Sequence, residues 1–404
     1  MVFQIISKFT CRLFHKKSTA FFGVIIFAIC TITLIAGLWP FEFHPVNKVA
    51  WLGDRNGVNF YGQSMIVSPI LWDDPQKSPF QNKSITIELW VHPPAKLSDV
   101  GIGRIVSLYD GQEPDLLFLG QWKSHLVIWS RIQIIQNKFQ KPVKRRDYGE
   151  IGLRDALSKD NDQFLTITSG AGGTSIYLNG KLVRANPGYN VLSGFAGIPF
   201  RLMLGNSPTG EGYWTGYLSG LAIYNQTLTS SRVLKSYREW MDKGYPSTPR
   251  ENGCTALYLF NERKGAIVNN HMDTGNQLLI PEVFTPFRRI VLSPPWHDFR
   301  WDRSSLQDIT INIIWFIPFG FFGAAFLGKM KQFRKSTLYL TTAMIGLGLS
   351  LAIELLQVYI PTRHSQLTDV ICNLTGIIMG LVLFHKMVFP SSEDTHGSRH
   401  CEEP

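Results

Sequence analysis

Four stretches of this chain are long and apolar enough to cross a lipid bilayer, and they are unevenly spaced. The first runs from Thr19 to Trp39, the second from Ile309 to Leu327, the third from Ser336 to Ile360 and the fourth from Val370 to Val388. Each has roughly the 20 residues that an α-helix needs to span hydrocarbon. Lipid offers the backbone no hydrogen-bond partners, so such segments close their own bonds as helices. Pro318, Gly346 and Gly348 fall inside them, and membrane helices tolerate both residue types. The first stretch is too long for a signal-peptide core, and Trp39-Pro40-Phe41 is a poor cleavage site, so it reads as a retained anchor. Between the first and second stretches lies enough chain for a separate domain, expected at 47–283.

The charge pattern orients the spans. The 404 residues carry 40 Lys and Arg against 30 Asp and Glu, a net charge of +10, and only 17% are charged. The basic excess is dispersed, which argues against nucleic acid as a partner and for a membrane topology signal. Lys8, Arg12, Lys16 and Lys17 precede the first span, in a basic cytoplasmic N-terminus at 1–18. Lys329, Lys331, Arg334 and Lys335 fill the loop between the second and third. Short loops rich in Lys and Arg stay in the cytoplasm. Both termini, including the 390–404 tail, are then cytoplasmic, and 47–283 lies outside. Trp39, Trp296, Phe299 and Trp301 fall at the outer interface, where amphipathic rings collect. Five cysteines occur: Cys11, Cys30, Cys254, Cys372 and Cys401. Only Cys254 lies in the external segment, which excludes an internal disulfide there; no Cys/His spacing fits zinc.

The external segment reads as all-β. Short β-rich runs recur between turns: ITIELWVH, RIVSLYD, LLFLGQW, HLVIWSR, FLTITS, TSIYLNGKLV, RLMLGNS and GYLSGLAIYN. Asn179-Gly180 marks a tight hairpin. VLKSYREWM is expected to be one short helix, and LYLFNERKGAIVNN one more strand pair. The prolines at 281, 286, 294 and 295 suggest a stiff re-entry linker over 284–304. SITIELWVHP, FLTIT, SIYLNGKLV and WTGYLSGLAIYNQTLTSSRVLKSY together resemble the laminin-G-like, concanavalin A-like jelly roll. That resemblance implies a glycan- or protein-binding sandwich, sometimes with calcium. Asp73 with Asp74, and Asp273 with Asn276, are the candidate calcium oxygens, although turn-forming roles are the favoured account of them. Some relatives are glycoside hydrolases, which need two neighbouring carboxylates. Glu113-Pro-Asp115 is the nearest such pair, and its proline interrupts a strand, so binding is favoured over hydrolysis. Lys138, Lys141, Lys144, Arg145 and Arg146 read as a solvated hairpin tip that can rest on an anionic surface.

Polar and ionisable side chains sit at one end of the last three spans. Asp308 and Asn312, four apart, share a face of the second. Glu354 and Gln357 share a face of the third. Asp369 and Asn373 repeat the D-x-x-x-N pattern on the fourth. Glu354 lies roughly 9 Å below Ile360, and each Asn roughly 6 Å below its Asp, at 1.5 Å per residue. All reach a similar depth in the outer leaflet, with Arg363 above them, in reach of Glu354 or Asp369. Asp308 and Asp369 are candidate helix N-caps. Capping leaves Glu354 and Gln357 unexplained, and ionisable groups inside hydrocarbon rarely persist without a role. The set Asp308, Asn312, Glu354, Gln357, Arg363, Asp369 and Asn373 is therefore the candidate binding site, suited to a polar head group whose phosphate pairs with Arg363. Glu354 is also the candidate catalytic acid or base.

The same residues carry a second resemblance. LWPFEFHP, DITINIIWFIPFGF, IELLQVYIPTRHSQLTD and DVICNLTGIIMG are similar to the VanZ-like membrane family. The match takes in Pro40, Phe41, Pro318, Gly320 and Gly376 beside the site residues. The chain resembles a VanZ-like protein with a jelly roll inserted in its first outer loop: a mixed fold, a four-helix transmembrane α domain at 19–39 and 305–389 plus an all-β sandwich. The resemblance implies a protein of the bacterial plasma membrane, and its founding member is linked to teicoplanin resistance. The expected partners are a membrane lipid or lipid-linked envelope precursor and an external glycan or protein. An enzyme acting on a lipid phosphate is the alternative, and a transporter ranks last because no charge lines the inner halves of the spans. Ligand and oligomeric state stay open.

Overall fold

The computed structural model describes residues 18–69, 84–94, 101–112, 115–131, 148–157, 161–192, 199–272, 275–298, 303–330 and 333–389. Asp73, Asp74, Glu113, the basic run 138–146, Asp273, Phe299, Trp301, Lys331 and the two chain ends lie outside the described residues. The chain divides into two compact units: His44–Arg288, and Met1–Phe43 together with Arg289–Pro404. Helices are numbered in chain order: α1 Thr19–Leu38, α2 Ser230–Lys243, α3 Pro295–Asp298, α4 Arg303–Met330, α5 Lys335–Gln357 and α6 Leu367–Val388.

The unit His44–Arg288 is a sandwich of two antiparallel sheets. In the first, Ile85–His92 lies between Gly216–Tyr224 and Gln163–Gly170. In the second, Gly103–Tyr109 lies between Arg201–Leu204 and Leu117–Trp122. Alternation explains the core. Ile85, Ile87, Leu89 and Val91 point inward and are buried with Ile105, Leu119 and Leu204. Burying each such side chain is worth about 1.5–3 kcal/mol. At the Asn179-Gly180 hairpin the two residues have φ of 52° and 76° between the paired Leu178 and Lys181. Two successive positive φ values give the twist that a two-residue hairpin needs.

The run LYLFNERKGAIVNN does not form a strand pair. Cys254–Tyr258 joins the first sheet beside Gly216–Tyr224, while Ile267–Val268 joins the second beside Leu278–Leu279. The chain between them changes sheets, with Phe260 and Arg263 at positive φ.

The short helix expected at VLKSYREWM is α2. The Thr229 hydroxyl accepts the Arg232 N–H at its start, and Gly244, φ 78°, ends it. It covers the outer face of the first sheet, where Phe164, Tyr177, Tyr224, Val233 and Trp240 form a second apolar cluster. Gly220 leaves room for the Trp240 indole.

In the other unit, α4 and α6 run side by side and parallel. Ile313 meets Gly376, and Ile317 meets Gly380. A Cβ at Gly376 or Gly380 would run into the carbonyl oxygen of Ile313 or Ile317, and one at Gly320 into that of Ile377. Small residues four apart thus bring the two backbones together, the usual route to tight helix packing in lipid. Phe22, Phe316, Phe319 and Phe384 fill the space around this seam. The hydroxyls of Thr310, Thr342 and Thr375 donate to carbonyls one turn back, so they need no outside partner. Helix α5 runs the other way, so the C-termini of α1 and α5 and the N-termini of α4 and α6 share one end. Lys329, Arg334 and Lys335 lie at the opposite end.

The segment expected as a stiff linker is largely built into the two units. Phe284 is buried with Met65, Tyr109 and Met203 of the sandwich, and the Arg288 N–H donates to the Pro208 carbonyl at 3.0 Å. In the helical unit, Ser293 donates to the Ser365 carbonyl at 2.8 Å and accepts from the Leu367 N–H at 3.0 Å. The Arg289 guanidinium sits 4.4 Å over the Tyr359 ring.

Candidate functional site

A cavity of about 470 Å³ opens at the end of the helical unit where α1 and α5 finish and α4 and α6 begin. Its size falls within the range of small-molecule sites. Asp308 and Asn312 reach it from α4, Glu354 and Gln357 from α5, Arg363 from the following turn, and Asp369 and Asn373 from α6. All seven sequence-selected side chains therefore line one space. Helix α1 adds Thr33, Ala36 and Gly37, which carried no signal in an otherwise apolar run.

The parallel packing of α4 on α6 sets the first contact. It brings the two D-x-x-x-N faces together, and Asn312 Nδ2 donates to Asp369 Oδ1 at 2.8 Å. Asp308 lies close enough to Asp369 for their charges to act on each other. Neither aspartate is an N-cap. Helix α4 starts at Arg303, five residues before Asp308, and α6 has Gln366 at its cap, with Asp369 inside the first turn. There a carboxylate still faces the positive end of the helix dipole.

Arg363 does not form the expected ion pair with Glu354 or Asp369. Its Nε donates to the Trp39 carbonyl at 2.8 Å and its Nη2 to the Ala36 carbonyl at 3.3 Å. Gln357 Nε2 donates to the Gly37 carbonyl at 2.9 Å. The last turn of a helix leaves carbonyls without partners and carries partial negative charge, so a guanidinium and an amide close α1 from outside. Glu354, 2% exposed, does the reverse for α6: its Oε2 accepts the Gln366 N–H at 2.8 Å. Capping across helices thus accounts for one contact each of Glu354 and Gln357, where capping within a helix does not.

Deeper in, Asn373 Nδ2 donates to the Ser350 hydroxyl at 2.9 Å. Its Oδ1 has no hydrogen-bond partner among the described residues, although the side chain is only 6% exposed. Trp315 Nε1 donates to the Thr33 hydroxyl at 3.1 Å.

The sandwich holds its own buried carboxylate. Glu88 alternates with the inward residues of Ile85–His92, and α2 buries it completely. Its Oε2 accepts from the Tyr224 hydroxyl at 2.7 Å, Ser236 at 2.9 Å and Trp240 Nε1 at 3.0 Å. Burial holds its carboxyl above the usual value, against the pull of those three donors. The Cys254 thiol nearby is pushed up to about 12, by burial and then by the Glu88 charge.

Asp115, half of the candidate hydrolase pair, is buried and ion-paired with Arg104. Its neighbour Asp110 holds Arg131 at 2.7 Å. Among the described residues, no three His, Cys, Asp or Glu side chains cluster closely enough to hold a metal ion. Trp122 is exposed between the strands Leu117–Trp122 and His125–Arg131, and its ring lies 5.4 Å from Lys123 Nζ.

Comparison with known proteins matches both units. Residues 254–389 fit the VanZ/LLP1 family model, and residues 71–234 fit that of the concanavalin A-like lectin/glucanases superfamily. The first match begins inside the sandwich, at Cys254, and takes in α4, α5 and α6; α1 with Pro40 and Phe41 lies outside it. No curated protein matches the chain. Among solved structures, the binding domain of botulinum neurotoxin DC in complex with rat synaptotagmin II is 14% identical, with a TM-score of 0.36 over 48% of this chain and 45% of that one. A Bacteroides ovatus protein designated as carbohydrate-binding is 14% identical, with a TM-score of 0.35 over 58% and 61%. The chain thus spans less than half the length of that neurotoxin domain. Its four long helices are each apolar enough to cross a membrane. Together with the VanZ/LLP1 match they make this a multi-pass membrane protein, with a concanavalin A-like domain placed after its first helix.

Proposed function

We propose that this is a bacterial envelope protein whose helical unit holds the polar head group of a lipid or lipid-linked envelope component. The convergence of carboxylates and amides from three helices in one 470 Å³ cavity carries this reading. Such groups are costly in hydrocarbon unless paired or used. The basic residues Lys329, Arg334 and Lys335 favour the opposite end as cytoplasmic. The cavity then opens in the outer leaflet, both termini are cytoplasmic, and the sandwich works outside the plasma membrane. There it engages a glycan or a protein, as the concanavalin A-like match suggests.

Native mass spectrometry of the purified full chain tests the first part. A co-purifying lipid or lipid-linked species is expected, weakened when Asp369→Asn and Gln357→Leu are combined; recovery of lipid-free protein from mild detergent would refute it. An array of cell-wall and exopolysaccharide glycans probed with the full chain tests the second, and silence across the array would remove the glycan arm. The teicoplanin link rests on the family resemblance, and expression in a sensitive host that leaves its tolerance unchanged would remove it. Glu354 acting as an acid or base gains no support from its geometry, because one oxygen already holds the α6 N-terminus. Turnover of a lipid phosphate that disappears in Glu354→Gln would restore that alternative.

A further inference from the structure

We propose that the cavity receives a primary ammonium group, countered by Asp308, Asp369 and Glu354, with Asn373 Oδ1 as a further acceptor. The inference rests on the head-group reading above and narrows it.

The charge inventory of the cavity is acidic. Three carboxylates line it beside one arginine and His364, and no lysine does. Its one guanidinium, on Arg363, is directed at the carbonyls of Trp39 and Ala36. That charge is divided between the negative end of α1 and Glu354, and leaves the acids in excess. An anion alone would enter against two or three negative charges in a medium where they are weakly screened.

The hydrogen-bond inventory points the same way. Asn312, Gln357, Asn373 and Trp315 each have an N–H committed to a protein acceptor: Asp369, Gly37, Ser350 and Thr33. Among the described residues, the buried polar atom of this lining left without a partner is an acceptor. Asn373 lines the cavity, is more than nine-tenths buried, and its Oδ1 takes no hydrogen bond among the described residues. A ligand that completes this wall brings donors. An ammonium brings three, together with the positive charge that the carboxylates lack. Among the described residues no three His, Cys, Asp or Glu side chains come together as a metal site, whereas an ammonium needs only one or two of these acceptors in contact and is attracted by the other acids through space. A phosphate attached to the same head group would lie toward Arg363.

The amine can belong to a lipid or be free in solution, and the experiment separates these. Full-length, delipidated protein is titrated in native mass spectrometry with phosphatidylethanolamine, its N-acetyl derivative and phosphatidylglycerol of matched chains. Phosphatidylethanolamine is expected to bind about ten-fold more tightly than the N-acetyl form, the worth of a charge-assisted contact. The preference should vanish in Asp308→Asn with Asp369→Asn, which keeps an acceptor for Asn312. If that variant fails to accumulate, the wild-type comparison decides alone. Equal binding of the N-acetyl or glycerol lipid overturns the ammonium inference and leaves the head-group reading standing. Thermal protection by ethanolamine without lipid binding supports the ammonium site and refutes the lipid reading. No response to any of the four removes both.

Discussion

Each unit of this protein buries a glutamate, and the two are used differently. Glu88 is 0% exposed and Glu354 2%. Around Glu88 three side-chain donors converge on one oxygen, tying the outer face of a sheet to the helix that covers it. Glu354 caps the backbone of α6 and borders open space. In the sandwich the polar cluster is a fully buried clamp. In the helical unit the same residue type holds a helix end while lining a cavity. Burial of a carboxylate therefore does not by itself separate structure from function; the volume next to it does.

Removing the clamp should give the largest effect. Glu88→Ala leaves Tyr224, Ser236 and Trp240 without their acceptor, at about 1–3 kcal/mol for each buried donor. The sandwich should then unfold far more readily, as read by pulse proteolysis of the full chain in urea. Glu88→Gln keeps an acceptor and should cost much less. It should also change the pH response. Burial raises the folded carboxyl, so the unfolded chain ionises first. The stability from Glu88 is fully present below the unfolded value of 4.5 and is lost as pH rises through the folded value. The urea midpoint of 44–288 should therefore fall with rising pH above 4.5, and the Gln variant should flatten that slope. An unchanged slope would mean the carboxyl is ionised in place.

The next effect belongs to the helical unit. Gly376→Leu puts a side chain where the Ile313 carbonyl stands, and overpacking of this kind costs about 1–3 kcal/mol. Because Gly376 and Gly380 hold α4 on α6, the variant should also separate Asn312 from Asp369 and abolish ligand retention. Retention at the wild-type level would show that the cavity does not depend on this seam. Glu354→Gln should be milder still. It keeps an oxygen for the Gln366 N–H, so stability should move by no more than about 1 kcal/mol, while any binding that uses the negative charge should weaken. A variant that loses stability and keeps its ligand would make Glu354 a clamp like Glu88.

How far these features were legible follows from what periodicity records. The inward set Ile85, Ile87, Leu89 and Val91 is plain in the sequence because side chains alternate across a strand. The burial of Glu88 is hidden by the same rule, which assigns its face to solvent; only the docking of α2 reverses that. The four spans were readable by length. The start of α4 was not, because Arg303, Ser304, Ser305 and Gln307 are polar and apolarity marks only the part of a helix that hydrocarbon covers. Arg363 was readable as a cation near acids, yet its partners are backbone carbonyls of a helix more than 300 residues earlier. Side-chain composition carries no trace of an acceptor that every residue possesses.

The smallest effect tests the part that sequence described best. Asn179 and Gly180 both hold positive φ in the hairpin between Gly173–Leu178 and Lys181–Asn186. Asn tolerates that conformation better than residues without a short polar side chain, so Asn179→Ala should cost up to about 1 kcal/mol. The side chain does more than permit the turn. Its Oδ1 accepts the Phe164 N–H at 2.9 Å, tying the turn to the neighbouring strand. Asn179→Gly relieves the backbone and removes that bond. If the Gly variant matches the wild type in urea, conformation alone explains the residue. If Gly and Ala are equally destabilised, the bond to Phe164 is what Asn179 supplies. The hairpin would then resemble the cavity end of the helical unit, where one polar side chain holds together two segments that the chain order keeps apart.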